Sequence, residues 1–393
     1  MSLKAVLEDS VDYIENFSNL LEKEEYKQKS VIYFTADIPI EIISAAGLIP
    51  VRIPSDANGP QSQYNTNSVL QPFICSKSHQ FFDFISKNGK NLIAGIFSEN
   101  HCDSLQNFYD VVKMNKTLDD DFQYFRFLLP IKRGGKTETK YYFKEMQRLV
   151  SWFENLTGTQ ITFENLSSSI QLHNTKRALL TQISKYIRDR DHQKITMSEY
   201  VKLKLLTDII PVKESVEILN KTVESISKIK SDKEQGSTLP RVLISGSMFD
   251  NFRLFESIEI LNKTSIATDL SFISRSSDFQ ILVPELETKD KDELLMNLAE
   301  AYIINKIPDS VHHHPGRRLE YLKNLIHNHQ IDGVVFIQYS FCDPDAFESR
   351  GLSLHLEKNM SIPTLTLVTD PQLTNLNQMT TRVEAFMEKI GDY

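Results

Sequence analysis

The stretch from Ile331 to Pro344 constrains the fold of this 393-residue chain more than any other. It joins an apolar, β-branched run, Val334 to Ile337, to a cysteine, Cys342, that stands just beyond it. Such a run predicts a strand buried on both faces, as in a parallel α/β sheet. Because ligands of open α/β sheets bind outside the carboxyl ends of the strands, a thiol at this place is a candidate ligand or nucleophile. A single cysteine taken alone is more often a small buried hydrophobe.

Length and composition indicate a globular protein of two or three domains. Apolar residues make up 40% of the chain, charged residues make up 24%, and the net charge is −8. An acidic chain without a basic stripe argues against nucleic acid as a partner. No segment approaches the ~20 apolar residues of a membrane span, and the charged N-terminus has no signal-peptide core. Three cysteines make no disulfide framework, so we expect the chain in the reducing cytoplasm.

The order of strand and helix patterns predicts an α/β fold with two Rossmann-like parallel-sheet domains and a helical segment between them. The N-terminal α/β domain is expected at residues 1–132, where it carries Cys75 and Cys102. A mainly helical segment follows at residues 133–236. The C-terminal α/β domain is expected at residues 237–393 and carries Cys342.

All cysteines of the chain fall at similar places in this pattern. Cys102 and Cys342 each follow a predicted buried strand and precede a helix, and Cys75 also stands at a helix start. If cysteines only filled the core, some would be expected inside strands or helices. The partial positive charge and free N–H groups of a helix N-terminus lower the pKa of a thiol. Three thiolates suit an iron-sulfur cluster with one open iron or a zinc ion with an open position. The softness of the sulfur ligands alone does not separate these two kinds of site.

Several short segments along the chain resemble a single family. The segments are Asp37–Glu41, Ala45–Pro50, His101–Asp103, Asp332–Val335, Phe341–Pro344 and Thr381–Glu388. In this order and spacing they are similar to the 2-hydroxyacyl-CoA dehydratase component D family, whose relatives include benzoyl-CoA reductase subunits. The resemblance runs from about residue 30 to residue 390.

The resemblance implies a cofactor, partners and a reaction. The cofactor is a four-iron four-sulfur (4Fe-4S) cluster held by Cys75, Cys102 and Cys342, with the fourth iron open to water or substrate. The partners are a homologous second subunit, in a heterodimer or a homodimer, and an ATP-dependent iron-sulfur activator that delivers single electrons. The reaction is the elimination of water from a 2-hydroxyacyl-CoA substrate through a ketyl radical, which gives a 2-enoyl-CoA. The β-hydrogen of such a thioester is not acidic, so a low-potential cofactor is needed for the difficult step.

Further candidate site residues lie near the predicted strand ends. Asn100 and His101 are candidate catalytic residues, and Thr35, Asp37 and Ser76 are candidate substrate-binding residues. A capping or surface role explains His101 equally well. Asp269 and Arg275 also resemble a recurring pair of the family, which a structural salt bridge explains equally well.

Other functions remain open at this level. One is a related reductase subunit that acts on an aromatic or unsaturated acyl thioester. Another is a non-catalytic partner subunit that has kept the fold, and a third is a zinc-binding α/β protein. The branch of the family with a double-cubane cluster needs more than three thiols, which argues against it for this chain.

Overall fold

The computed structural model describes residues 3–55, 66, 69–114, 122–188, 193–229, 239–246, 248–262, 265–283, 290–307 and 316–391. Within these residues it is a mixed α/β structure with two four-stranded, parallel sheets, which confirms the predicted class. The strands are β1 (Ser30–Tyr33), β2 (Ile49–Arg52), β3 (Ile93–Glu99), β4 (Tyr124–Phe127), β5 (Arg241–Gly246), β6 (Ser265–Leu270), β7 (Gly333–Tyr339) and β8 (Thr364–Thr369).

Helices flank both sheets and fill the sequence between them. They are α1 (Leu3–Glu15), α2 (Phe17–Glu22), α3 (Ile40–Ala45), α4 (Ser76–Leu92), α5 (Asp103–Met114), α6 (Lys136–Thr157), α7 (Phe163–Arg188), α8 (Met197–Thr207), α9 (Val212–Lys228), α10 (Phe252–Glu259), α11 (Lys291–Glu300), α12 (Arg317–His329), α13 (Asp343–Met360) and α14 (Leu376–Gly391). Two π-helical turns lie at Ser271–Arg275 and Ala301–Asn305. None of the described helices has both the length and the apolar character that a bilayer crossing requires.

The two sheets have the same strand order. The order is β2-β1-β3-β4 in the first sheet and β6-β5-β7-β8 in the second. In each sheet the strand that comes first in the chain lies between the second and the third, so the order reverses beside it. A crevice for ligands opens at the carboxyl ends of the strands that flank such a reversal. Cys102 stands three residues beyond the end of β3, and Cys342 stands three residues beyond the end of β7, so the sheets present equivalent thiols.

The central strands are apolar because helices cover both of their faces. β1 is buried along its whole length, and β7 is buried except at the half-buried Gln338. The predicted strand Val334 to Ile337 thus lies inside β7, where it pairs with β5 on one side and β8 on the other.

Helices α6 to α9 contact helices from both ends of the chain. Helix α6 packs on α11, helix α7 packs on α3 and α9, and helix α8 packs on α1 and α10. The contacts with α1 and α3 connect them to the part of the chain that forms the first sheet, and the contacts with α10 and α11 connect them to the part that forms the second. The predicted domain boundaries stay predictions, and the one after residue 236 falls outside the described residues.

Candidate functional site

A cavity of about 510 Å³ lies beyond the carboxyl ends of β3 and β7, and all three cysteines of the chain line it. Cys75 and Cys342 are buried, whereas Cys102 is half-buried. The remaining lining residues are Asp103, Ser104, Phe341, Asp343, Pro344, Phe347 and Glu348. The structure thus brings together the thiols of both sheets, although they are far apart in the sequence. Their role as metal ligands stays a prediction.

Each thiol sits at the start of a helix. Cys75 is the N-cap residue of α4, Cys342 is the N-cap residue of α13, and Cys102 directly precedes α5. All three sulfur atoms accept hydrogen bonds from backbone N–H groups in the first turn. The donors are Lys77 and Ser78 for Cys75, Ser104 and Leu105 for Cys102, and Asp345 for Cys342. These N–H groups stabilise negative charge on sulfur.

The thiols differ in acidity because they interact with one another. A hydrogen bond with Cys342 lowers the pKa of Cys75, in spite of burial, which opposes it. The same hydrogen bond and burial raise the pKa of Cys342 well above its usual range. Burial raises the pKa of Cys102 to about 12, and the nearby charge of Cys75 adds to this effect. Cys75 therefore loses its proton more readily than Cys102 or Cys342.

Three thiols suit either a zinc ion or a 4Fe-4S cluster, and the two groups place different demands on the geometry of the site. Among the described residues, no three side chains of His, Cys, Asp or Glu are grouped so that they could hold one metal ion. A zinc ion requires its ligands about 2.0–2.3 Å from one point. A 4Fe-4S cluster is larger, and each thiolate binds a different iron. The three thiols that line the cavity are donors that either group accepts, and the choice between the two groups stays a prediction.

A direct backbone contact joins the segments that carry Cys75 and Cys342. The N–H group of Ser76 donates to the carbonyl oxygen of Ser340 over 3.0 Å. The Ser76 hydroxyl oxygen is buried and has no hydrogen-bond partner among the described residues. Ser76 is not among the residues that line the cavity, so its predicted role in substrate binding stays a prediction.

A second connection runs through the fully buried carboxylate of Asp250. Asp250 forms salt bridges with Arg52 of β2 and with Lys77 of α4, the latter at 3.5 Å. The hydroxyl of Tyr339, the last residue of β7, donates to Asp250 over 3.1 Å. Sequence reasoning missed Asp250. Its position in the sequence could have indicated it, because Asp250 stands four residues beyond the end of β5, just as Asp37 stands four residues beyond the end of β1.

A third group of charges supports the cavity wall at Glu348. Its carboxylate lies 3.5 Å from the guanidinium of Arg318, and Arg318 lies 2.7 Å from Asp269. Asp269 also pairs with Arg275 at 2.9 Å, and all of these side chains except Glu348 are almost completely buried. The predicted pair Asp269 and Arg275 is therefore a buried salt bridge in the second sheet.

The two candidate catalytic residues, Asn100 and His101, are not among the residues that line the cysteine cavity. The side-chain amide of Asn100 donates to the carbonyl oxygen of Leu129 over 3.3 Å, and its oxygen accepts from the N–H group of Leu129 over 2.6 Å. Asn100 thereby braces the ends of β3 and β4. His101 is buried, with Nδ1 3.8 Å from a carboxylate oxygen of Asp37. Neither residue lines the cavity, and their catalytic role stays a prediction.

Thr35 and Asp37 belong to a buried ion cluster of the first sheet. Asp37 forms salt bridges with Arg133, at 2.7 Å, and with Lys306. Burial alone would raise the pKa of Asp37, but these two cations hold it well below its usual range. The hydroxyl of Thr35 accepts a hydrogen bond from the Asp37 N–H group over 3.4 Å. Neither residue lines the cysteine cavity, so a role in substrate binding stays a prediction.

Comparison with protein families matches residues 35–390 to the family described as 2-hydroxyglutaryl-CoA dehydratase, D-component. The chain belongs to this family. The match covers strands β2 to β4 of the first sheet, the whole second sheet and the residues that line the cysteine cavity, and it confirms the resemblance that the short sequence segments indicated.

Curated relatives of this D-component chain match it over most of their length. The (R)-phenyllactyl-CoA dehydratase beta subunit of Clostridium sporogenes is 24% identical over 97% of this chain and 98% of its own. The (R)-2-hydroxyglutaryl-CoA dehydratase beta subunit of Acidaminococcus fermentans is 23% identical over 99% of this chain and 100% of its own. A benzoyl-CoA reductase subunit of Thauera aromatica is 24% identical over 84% of this chain and 83% of its own. All three relatives are named as subunits.

Proposed function

We propose that this chain is a subunit of an iron-sulfur 2-hydroxyacyl-CoA dehydratase, a lyase that removes water from a 2-hydroxyacyl-CoA by a radical route to give a 2-enoyl-CoA. The observation that carries the proposal is the cavity on which all three cysteines of the chain meet. Membership of the D-component family and the similarity to two dehydratase beta subunits support it. The proposal includes a second, companion subunit, an ATP-dependent activator and a cytoplasmic location.

Cys75, Cys102 and Cys342 would hold the 4Fe-4S cluster, one at each of three irons. When bound, such a cluster supplies single electrons at low potential. The backbone N–H groups at the three helix starts would offset part of the negative charge on the sulfur atoms, and hydrogen bonds to sulfur tune the potential of such sites.

The other lining residues define what the cavity can do for a ligand. Ser104 is the hydroxyl among them, and Asp103, Asp343 and Glu348 are the carboxylates that would accept a proton. Phe341, Phe347 and Pro344 make the rest of the lining apolar. An apolar wall would exclude water from a ligand held beside the thiols, which strengthens polar contacts inside the site.

A specific observation favours a second candidate, a non-catalytic partner subunit of the same kind of complex. Among the described residues, those that line the cavity include no Lys, Arg or His, so the lining offers no positive charge to the phosphates of CoA. The similarity to the benzoyl-CoA reductase subunit keeps a related acyl-CoA reductase as a third candidate.

Anaerobic purification with iron, sulfide and zinc analysis tests the cluster. We expect about four irons and four sulfides per chain, with a broad brown absorption band. The variant Cys102→Ala should lose both iron and colour, whereas Ser104→Ala, a change at the same helix start, should keep them. Zinc in place of iron, or full iron retention by Cys102→Ala, would contradict the proposal.

Turnover of the complete complex then separates the candidates. With activator, ATP and a 2-hydroxyacyl-CoA, the Cys102→Ala complex should be inactive if this chain takes part in electron delivery or catalysis. Full activity of that complex would identify the chain as a supporting subunit. Conversion of an aromatic acyl-CoA without loss of water would favour the reductase.

A further inference from the structure

A second, smaller cavity lies between helices α7 and α8 and the carboxyl ends of β1 and β6. We call it the lysine cavity, because Lys176 of α7 and Lys204 of α8 line it. Its volume is about 40 Å³, and none of its lining residues is exposed. A buried water requires about 10–15 Å³ of such space, so the lysine cavity has room for roughly three waters or one small ion. It shares no described residue with the lining of the cysteine cavity.

The two lysines at this cavity share one carboxylate. A carboxylate oxygen of Asp208 lies 3.2 Å from Nζ of Lys176, and the other lies 2.5 Å from Nζ of Lys204. Among the described residues that line the cavity, Asp208 is the single acidic one. Arg177 also lines it, but Arg177 is balanced by its own salt bridge with Glu41. When both lysines are protonated, the site therefore carries one positive charge more than these carboxylates balance.

The neighbouring charged groups do not remove this excess. Arg52 lies 3.5 Å from Asp208, but it brings a further positive charge and has its own salt bridge with Asp250. His173 adds no charge, because burial holds its pKa well below its usual range. Burial also lowers the pKa of both lysines, that of Lys204 to about 7. A buried charge is costly unless it is paired, so the excess favours either loss of a lysine proton or an anion in the cavity.

A hydroxyl group on the opposite wall favours the anion. Ser277 lines the cavity, and its hydroxyl is buried without a hydrogen-bond partner among the described residues. The hydroxyl of the adjacent Ser276, which also lines the cavity, donates to the carbonyl oxygen of Phe272 over 2.8 Å. A buried polar group without a partner costs free energy. Water would satisfy the Ser277 hydroxyl alone, whereas an anion would accept its hydrogen bond and also balance the lysines.

We propose that the lysine cavity binds one small inorganic anion, of the size of chloride, through the ammonium groups of Lys176 and Lys204 and the hydroxyl of Ser277. Apolar lining residues such as Leu180 and Phe272 keep the surroundings weakly polar, which strengthens these contacts. The three donors lie on α7, on α8 and just after β6, so the anion would connect two helices to the second sheet. The site needs none of the cysteines, and the inference is therefore independent of the proposed function.

Thermal unfolding of the purified protein at increasing chloride concentration measures the binding. Chloride replaces gluconate at constant ionic strength and pH 6, because gluconate is too large for the cavity. We expect the midpoint of unfolding to rise by about 1–3 °C and then to level off. Ser277→Ala should weaken the affinity for chloride about tenfold, whereas Ser276→Ala should not change it. Lys204→Met should abolish the effect of chloride, whereas Lys185→Met, at an exposed lysine of α7, should keep it.

Bromide, which substitutes for chloride and scatters X-rays anomalously, locates the site in crystals of the protein. We expect an anomalous peak between Nζ of Lys204 and Oγ of Ser277. A cavity that holds only water would overturn the inference, and so would a peak without any effect of chloride on unfolding, which would indicate an adventitious ion only. Equal stabilisation of Ser277→Ala and the unaltered chain would also contradict it. If circular dichroism shows that Lys204→Met does not fold, the bromide peak and Ser277→Ala decide the question.

Discussion

Replacing Asp250 with asparagine removes the negative charge at the centre of the ion cluster that connects the two sheets. The carboxylate is fully buried and pairs with Arg52 and with Lys77, which lies two residues after Cys75. It also accepts a hydrogen bond from Tyr339, three residues before Cys342. Asparagine preserves the shape of the side chain and its contact with Tyr339, but it removes the negative charge that balances the positive charges of Arg52 and Lys77.

The magnitude follows from the burial of the partners. Removing one member of a buried ion pair costs about 3–5 kcal/mol of the free energy of unfolding, because it leaves an uncompensated buried charge. Asp208, 3.5 Å from Arg52, still compensates that guanidinium in part, so we expect about 3 kcal/mol. Burial would raise the pKa of Asp250, but Lys77 and Arg52 outweigh it and lower that pKa. The stabilisation is therefore present above the carboxyl pKa of the unfolded chain, about 4, and is lost as the pH falls through the lower value of the folded chain.

Urea unfolding at pH 7, followed by circular dichroism and by the fluorescence of Trp152, the single tryptophan, measures the change. The control is Asp110→Asn, because Asp110 is exposed and lies 4.0 Å from Arg126. A surface pair of this kind contributes about 0–1 kcal/mol. The reasoning fails if Asp250→Asn unfolds within about 1 kcal/mol of this control, or if the loss does not shrink as the pH falls below about 4.

Three further predictions concern the packing at Gly246, the pKa values of the cysteines and the pKa of Lys204. Gly246→Ala should lower the free energy of unfolding by about 1–3 kcal/mol or more, because the new Cβ would lie 2.3 Å from a carbonyl oxygen of β7; Gly351→Ala, which meets open space in α13, should raise it slightly in the same urea titration. In the metal-free chain at pH 7, mass spectrometry should find iodoacetamide on Cys75 before the more exposed Cys102, because the pKa of Cys75 is lowered and that of Cys102 is raised to about 12. Burial lowers the pKa of Lys204 to about 7, so the unfolded chain binds the proton more tightly and the midpoint of thermal unfolding should rise between pH 7 and about pH 10. Lys204→Met should flatten that rise, and an unchanged pH profile would contradict the assignment.

The fold could be predicted where the signal is local. The β-branched run Val334 to Ile337 lies inside β7 because consecutive apolar side chains need cover on both faces. The helix starts at Cys75 and Cys342 could also be predicted, since Pro344 is favoured in a first helical turn and the apolar pattern of α4 begins soon after Cys75. Local patterns of this kind fix an element without knowledge of its neighbours.

The direction of single side chains after a strand could not be predicted. Asn100 and His101 are adjacent to Cys102 in the sequence, yet only Cys102 lines the cavity. Within such a turn, one residue can face the opening while the next faces the interior, and the outcome depends on partners far away in the sequence. Leu129 holds Asn100, and Asp37 lies beside His101. No pattern around residue 100 contains this information.

The same limit explains why the cysteines were easier to find than the residues that hold them in place. Cys102 and Cys342 occupy equivalent positions in two sheets, so they form one site only if the sheets keep a fixed relative position. Apolar burial is non-directional and does not by itself set that position. The bonds from Asp250 to Arg52, Lys77 and Tyr339 have defined geometry. They connect β2 of the first sheet and helix α4 to β7 of the second sheet. We therefore infer that this costly buried charge is kept because it fixes the placement of the thiols, and the loss of stability in Asp250→Asn should be accompanied by faster alkylation of the cysteines.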